Sequence, residues 1–80
     1  LKLPRDLEGR RLVAALVRHW GYRKVNQVGS HIILQSDGPI PHRLSVPDHN
    51  PLRVGTLNAI LRSVSDAKGA SRDAIIATLE

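Results

Sequence analysis

Two stripes of apolar residues at helical spacing, separated by a stretch that has none, set most of what this chain can fold into. Leu12, Val13, Leu16 and Trp20 recur every three or four residues, and so do Leu57, Ile60, Leu61 and Val64. Each set lies along one face of an α-helix. Between Gly21 and Pro47 the pattern changes to short apolar runs broken by glycine and proline. The change predicts a small sheet with helices before and after it.

Leu3-Pro4 is an extended lead-in. The first helix is expected over about residues 8 to 20, with Asp6 as a candidate N-cap and Gly21 as its stop. Arg10, Arg11 and Arg18 fall mainly on the face opposite the stripe. His19 sits in the last turn, where a cation complements the helix dipole, and reads as a structural or surface residue. Tyr22 to Val28 reads as a first strand with Tyr22 and Val25 inward. Gly29 permits a tight reversal into a second strand, Ser30 to Gln35. Alternation puts Ile32 and Leu34 on one face, His31 and Ile33 on the other. Were Ile33 core and His31 exposed, the strand would have to bend or bulge.

Ser36-Asp37-Gly38-Pro39 signals a turn, and Pro39 and Pro41 keep the segment irregular to about His42. Arg43 to Val46 predicts a third strand with Leu44 and Val46 inward, ended by Pro47. A meander of this kind can leave one polar face open. After the loop from Asp48 to Gly55, Thr56 is the candidate cap of the second helix, and Gly55 beside it makes room for an anion at the helix entrance. Gly69 stops that helix. Ser71 caps a last short helix, with Ala74, Ile75 and Leu79 expected in the core. The expected fold is one small two-layer α+β domain over residues 1–80, in the order α-β-β-β-α with an additional short C-terminal helix.

Composition narrows the function classes. Eighty residues make one domain with a modest core. The chain has no cysteine, so no disulfide or thiolate metal site is available and an intracellular, cytoplasmic setting is favoured. No apolar run approaches the roughly 20 residues of a membrane span. Leu1 to Asp6 lacks the apolar core of a signal peptide and starts without methionine, so a few residues are expected to precede it. Twelve Lys or Arg against seven Asp or Glu leave a net charge of +5, suited to nucleic acid or an acidic protein. One tryptophan, one tyrosine and no phenylalanine disfavour a multi-base stacking platform.

Gly29-Ser30-His31 is the candidate chemical motif. A histidine at a strand entrance can move a proton near neutral pH, since its reference pKa is about 6.5. A lone histidine at a strand start is more often a surface or capping residue than a catalyst. His19, His31, His42 and His49 show no compact metal-ligand spacing, although His42 and His49 flank the third strand and could meet across a loop. There is no phosphate-binding glycine loop, no dinucleotide fingerprint and no close carboxylate pair. Ser30 beside His31 makes no hydrolase dyad, because adjacent strand residues diverge. RNA cleavage needs less equipment: the substrate supplies the 2′-hydroxyl nucleophile, one imidazole moves a proton, and basic groups hold the phosphate.

Three motifs in order carry a resemblance. They are Gly29-Ser30-His31, Val46-Pro47-Asp48-His49, and Gly55-Thr56-Leu57 with Ile60-Leu61-Arg62, behind an opening of Leu3-Pro4 and a helix to Gly21-Tyr22. The chain resembles the HicA family of bacterial toxins, small mRNA-cleaving ribonucleases with a fold similar to the double-stranded-RNA-binding domain. The resemblance extends over nearly the whole chain. It implies that His31 is the catalytic general acid or base, with no metal and no cofactor. It also implies single-stranded mRNA as substrate and a HicB antitoxin as partner, which supplies any contact with DNA. Gly29 and Ser30 then border the phosphate, Lys24 and Arg43 are the candidate phosphate contacts by strand position, and His49 borders the site. The chain departs from the family in Ile32, where a second histidine or an aromatic is common. Its turn from Ser36 to His42 is longer, with two prolines, and could redirect a loop near substrate or antitoxin. Ser63 to Lys68 adds about a turn of helix. Two other classes stay open: a non-catalytic RNA-binding domain that reads shape and phosphates, and a module whose charge serves only a protein interface.

Overall fold

The computed structural model describes residues 2–79. The elements are α1 (Gly9–Trp20), β1 (Arg23–Val28), β2 (His31–Ser36), β3 (His42–Pro47), α2 (Val54–Lys68) and α3 (Arg72–Ala77). The strands form one antiparallel sheet in the order β1-β2-β3. This is the expected α+β order with its extra short helix, consistent with a fold like the double-stranded-RNA-binding domain.

Each helix forms where its stripe can be buried. Leu12 and Leu16 of α1 and Leu57, Ile60, Leu61 and Val64 of α2 join Ile32, Leu34, Leu44 and Val46 from one face of the sheet in a single core. Burying a side chain of this size is worth about 1.5–3 kcal/mol. Both helices pack chiefly on β3, so β1 overhangs the core and all six of its residues are exposed. Gly21 and Gly69 end α1 and α2 in the left-handed region, at φ 73° and 62°. α3 is capped as expected, with Ser71 Oγ accepting from the Ala74 N–H at 3.1 Å. It is tied to the end of α1 by Trp20 Nε1, which donates to Thr78 Oγ1 at 2.9 Å.

Register settles the question left open at His31. Ile32 and Leu34 pair with Val46 and Leu44 on the helix side. His31 and Ile33 lie on the open side, and β2 stays regular. The irregularity is in β1 instead, where the register slips between Lys24 and Asn26. Val25 is the extra residue and is 40 % exposed, so it is not a core contribution. A bulge and charged residues on an edge strand also discourage pairing with another chain.

Three helix-end expectations change. α1 begins after Glu8 rather than Asp6, which adopts φ 55°. α2 begins after Arg53, so Thr56 is inside its first turn rather than its cap. In α3 the buried pair is Ile75 and Ile76, whereas Ala74 is exposed. The cause is the angle at which so short a helix meets the core, which spacing alone does not give.

Candidate functional site

His31 stands at the start of β2, exposed on the open face of the sheet. Its register partners there are Val28 on β1 and Pro47 on β3. Ser45 faces the same way, diagonally across the β2–β3 ladder, and its Oγ lies 3.2 Å from His31 Nδ1. Diagonal neighbours on one sheet face are within side-chain reach. With Nδ1–H donating to Ser45, the lone pair sits on Nε2, which has no hydrogen-bond partner among the described residues. A fixed imidazole with one free nitrogen towards solvent can take or give a proton on a bound substrate.

The surroundings of His31 come from three directions. Gly29 turns the hairpin at φ 58°, and a Cβ there would meet open space. Ser30 is exposed, and its carbonyl accepts from the Asp48 N–H at 2.6 Å, joining the hairpin to the exit of β3. Behind that exit, the Gly9 N–H donates to the His49 carbonyl at 2.9 Å. A Cβ on Gly9 would lie 2.0 Å from the Pro47 carbonyl oxygen, so α1 starts in direct backbone contact with β3. His49 lines a small cleft at this end with Glu8, Arg10, Asp48 and Asn50. There Arg10 Nε donates to Asp48 at 3.0 Å and Asn50 to Glu8 at 2.8 Å. The hydrogen bond and charge of Asp48 hold the Arg10 pKa above its ordinary value.

The phosphate contacts named by strand position separate. Arg43 is on the His31 face, with Nε donating to Gln35 Oε1 at 3.1 Å. It pairs with Gln35, four residues along β2 from His31, which is roughly 13 Å at strand rise. Lys24 pairs with Leu34 and so stands on the other side of the sheet, where its ammonium donates to Gln27 Oε1 at 2.9 Å. The bulge at Val25 makes the strand's parity unreadable from spacing alone. Ser45 was legible only as an outward residue of β3. The register that brings it to His31 is set by the pairing of β2 with β3.

His42 and His49 do not meet. They lie beyond opposite ends of the β3 core, and His42 to Pro47 alone spans roughly 16 Å. His42 belongs to a polar network at the end of the sheet far from His31. Its Nδ1 shares a hydrogen bond with Tyr22 Oη at 2.7 Å and its Nε2 with Ser63 Oγ at 2.9 Å. Lys68 Nζ lies 4.8 Å from the Tyr22 ring centroid, donates to the Gly38 carbonyl at 2.6 Å and also bonds the buried Ser36 hydroxyl. The longer turn after Ser36 is therefore packed at this end, with Arg23 paired to Asp37 at 2.7 Å, and does not border His31. Among the described residues no group of His, Asp or Glu is placed to hold a metal ion, and no helix is long and apolar enough to cross a membrane.

Burial raises the Tyr22 pKa above 10.0. The raised value favours the folded state only while the unfolded tyrosine stays neutral. Stability is thus retained below about pH 10 and declines as pH rises from there towards the folded-state value. Tyr22→Phe is expected to cost about 1 kcal/mol at pH 7, through the lost bond to His42. It should also flatten the alkaline decline, read as thermal midpoints of both proteins between neutral and strongly alkaline pH. Parallel curves would refute the assignment.

The family model described as HicA toxin of bacterial toxin-antitoxin matches residues 9–65. No curated protein and no solved structure matches the chain. The matched stretch runs from the first residue of α1 through the sheet and most of α2, and leaves α3 outside. It includes the hairpin, the β3 exit and the start of α2, where the three sequence motifs lie. By this match the chain belongs to the HicA toxin family of bacterial toxin-antitoxin systems.

Proposed function

We propose that this toxin is an endoribonuclease of single-stranded mRNA, acting in the cytoplasm and neutralised by a HicB antitoxin. The observation that supports it most is the His31 ring itself: exposed, held at Nδ1 by Ser45, and open at Nε2. In this reading Nε2 takes the proton of a substrate 2′-hydroxyl. The oxygen attacks the adjacent phosphorus, the bond to the 5′-oxygen breaks as that oxygen takes a proton from water, and a 2′,3′-cyclic phosphate and a 5′-hydroxyl are left, with the proton on Nε2 returned to solvent. Arg43 is proposed as a phosphate contact further along the same face. Ser30, Gly29 and His49 border the strand of substrate at the hairpin end. Lys24, on the other side of the sheet, is left out of the phosphate contacts.

The test is cleavage of a defined single-stranded RNA by antitoxin-free protein in EDTA. Products with cyclic phosphate ends, and no cleavage where the 2′-hydroxyl is replaced by 2′-O-methyl, are expected. Salt-sensitive RNA binding without cleavage would instead favour a binding module of the same fold.

Ser45 is proposed as a positioning residue. Ser45→Ala is expected to lower kcat about fivefold with KM unchanged, the worth of one modest hydrogen bond. Ser45→Thr keeps the hydroxyl and should recover most of the rate. An alanine variant with the parental kcat would remove Ser45 from the mechanism.

A further inference from the structure

Beside His31 the open sheet face carries apolar side chains that the proton transfer does not use. Val28 pairs with His31 across the β1–β2 ladder, and Asn26 pairs with Ile33. Directly paired residues share a face, so Val28, His31, Ile33 and Asn26 form the four corners of one patch on the open side. Val28 is 60 % exposed. Ile33 is half-buried, with Asn26 and Ser45 as its register partners. The one tyrosine and the one tryptophan lie elsewhere, Tyr22 in the core and Trp20 bonded to Thr78. Val28 and Ile33 therefore supply aliphatic contact, which favours an apolar ring face through the water it displaces.

Asn26 closes the far corner of the patch. Register places it diagonally across from His31, roughly 7–8 Å away along the ladder. Its Oδ1 accepts from the Gln27 N–H at 2.8 Å, which settles which end of the amide is oxygen. The Nδ2 end has no partner among the described residues, so Asn26 presents donors outward. The neighbouring polar side chains of β1, Lys24 and Gln27, are bonded to each other at 2.9 Å on the other side of the sheet.

A ribonucleotide whose 2′-hydroxyl reaches His31 Nε2 carries its base on the adjacent sugar carbon. Laid over Val28 and Ile33, that base points the exocyclic group furthest from the sugar at Asn26. The group is an oxygen in uracil and guanine and an amino group in cytosine and adenine. An oxygen accepts from Nδ2, whereas an amino group meets it donor against donor. We infer that Asn26 is a specificity-determining residue that selects an oxo base, uracil or guanine, on the 5′ side of the cleaved phosphate. This rests on the ribonuclease reading of His31 and adds the base to it.

The test uses a 2′-O-methyl oligoadenylate with a single ribonucleotide, either uridine or cytidine, so that cleavage and base are fixed at one position. The parent is expected to cleave the uridine substrate about tenfold faster, the worth of one hydrogen bond made against one refused. Asn26→Asp keeps an oxygen for the Gln27 N–H and turns the donors into acceptors. It should bring the ratio to unity or reverse it, since a carboxylate accepts from the cytosine amino group. Asn26→Ala should bring it to unity. Each ratio compares two substrates of equal charge on one protein, so the added charge cancels. Equal rates in the parent, or a preference that survives both substitutions, would overturn the inference and leave the ribonuclease reading standing. If the parent cleaves neither substrate, that reading fails, and binding of fully 2′-O-methylated oligouridylate and oligocytidylate decides the base contact by itself. Tighter uridylate binding that is lost in Asn26→Asp upholds it, and equal binding refutes it.

Discussion

Replacing His31 with alanine is expected to reduce RNA cleavage by about 10²–10⁴-fold, the range contributed by a positioned general acid or base. The imidazole is exposed and makes one side-chain hydrogen bond, to Ser45. Its neighbours Ile32 and Leu34, which hold the strand in the core, point the other way. The variant should therefore keep its thermal midpoint within a few degrees and still bind a non-cleavable RNA. Loss of cleavage with folding and binding retained is the signature of a chemical role. Cleavage at the parental rate would move the chemistry elsewhere, and loss of binding along with cleavage would make His31 a contact rather than a catalyst. His31→Gln sharpens the test, because an amide can hydrogen-bond to Ser45 but cannot exchange a proton at neutral pH.

Among the six glycines, Gly9→Ala should cause a large loss of stability through a direct backbone clash. The new carbon would sit 2.0 Å from the Pro47 carbonyl oxygen and 3.3 Å from the His49 nitrogen. Both are backbone atoms, so no rotamer change relieves the clash. α1 must move away from β3, straining the Gly9–His49 hydrogen bond and the packing of Leu12 and Leu16. Overpacking of this kind costs about 1–3 kcal/mol or more. In a domain of this size that lowers the thermal midpoint by roughly 5–20 °C. A midpoint within about 3 °C of the parent would show that the helix start yields freely, contrary to this account. Because Pro47 is the register partner of His31, the same substitution should also slow cleavage. A second-site control, Ala14→Gly on the exposed side of α1, tests helix propensity without touching β3.

The two apolar stripes, the glycines that stop α1 and α2 and the serine cap of α3 were legible because each depends on a few neighbouring residues. So was the hairpin at Gly29, where a positive φ suits glycine. The same local rules failed wherever a distant partner chose among local options. Asp6 and Glu8 compete as the entrance of α1, and Thr56 and Arg53 as that of α2. The outcome there depends on where α1 and α2 must start to meet the sheet. At Val25 the bulge breaks the period of two, so the valine expected in the core is exposed, and Lys24 lies on the side of the sheet away from His31. His42 and His49 look close when only the loops are counted, yet a six-residue strand keeps them apart.

By itself, then, the sequence determined the order of elements, the faces that form the core and the identity of His31 as the leading candidate. Periodicity and turn chemistry act over a few residues and are written locally. That His31 meets Ser45 and that α1 touches β3 through Gly9 follow from how the elements pack. Each of these joins residues from different elements, and strand register and helix packing are settled by the whole core at once.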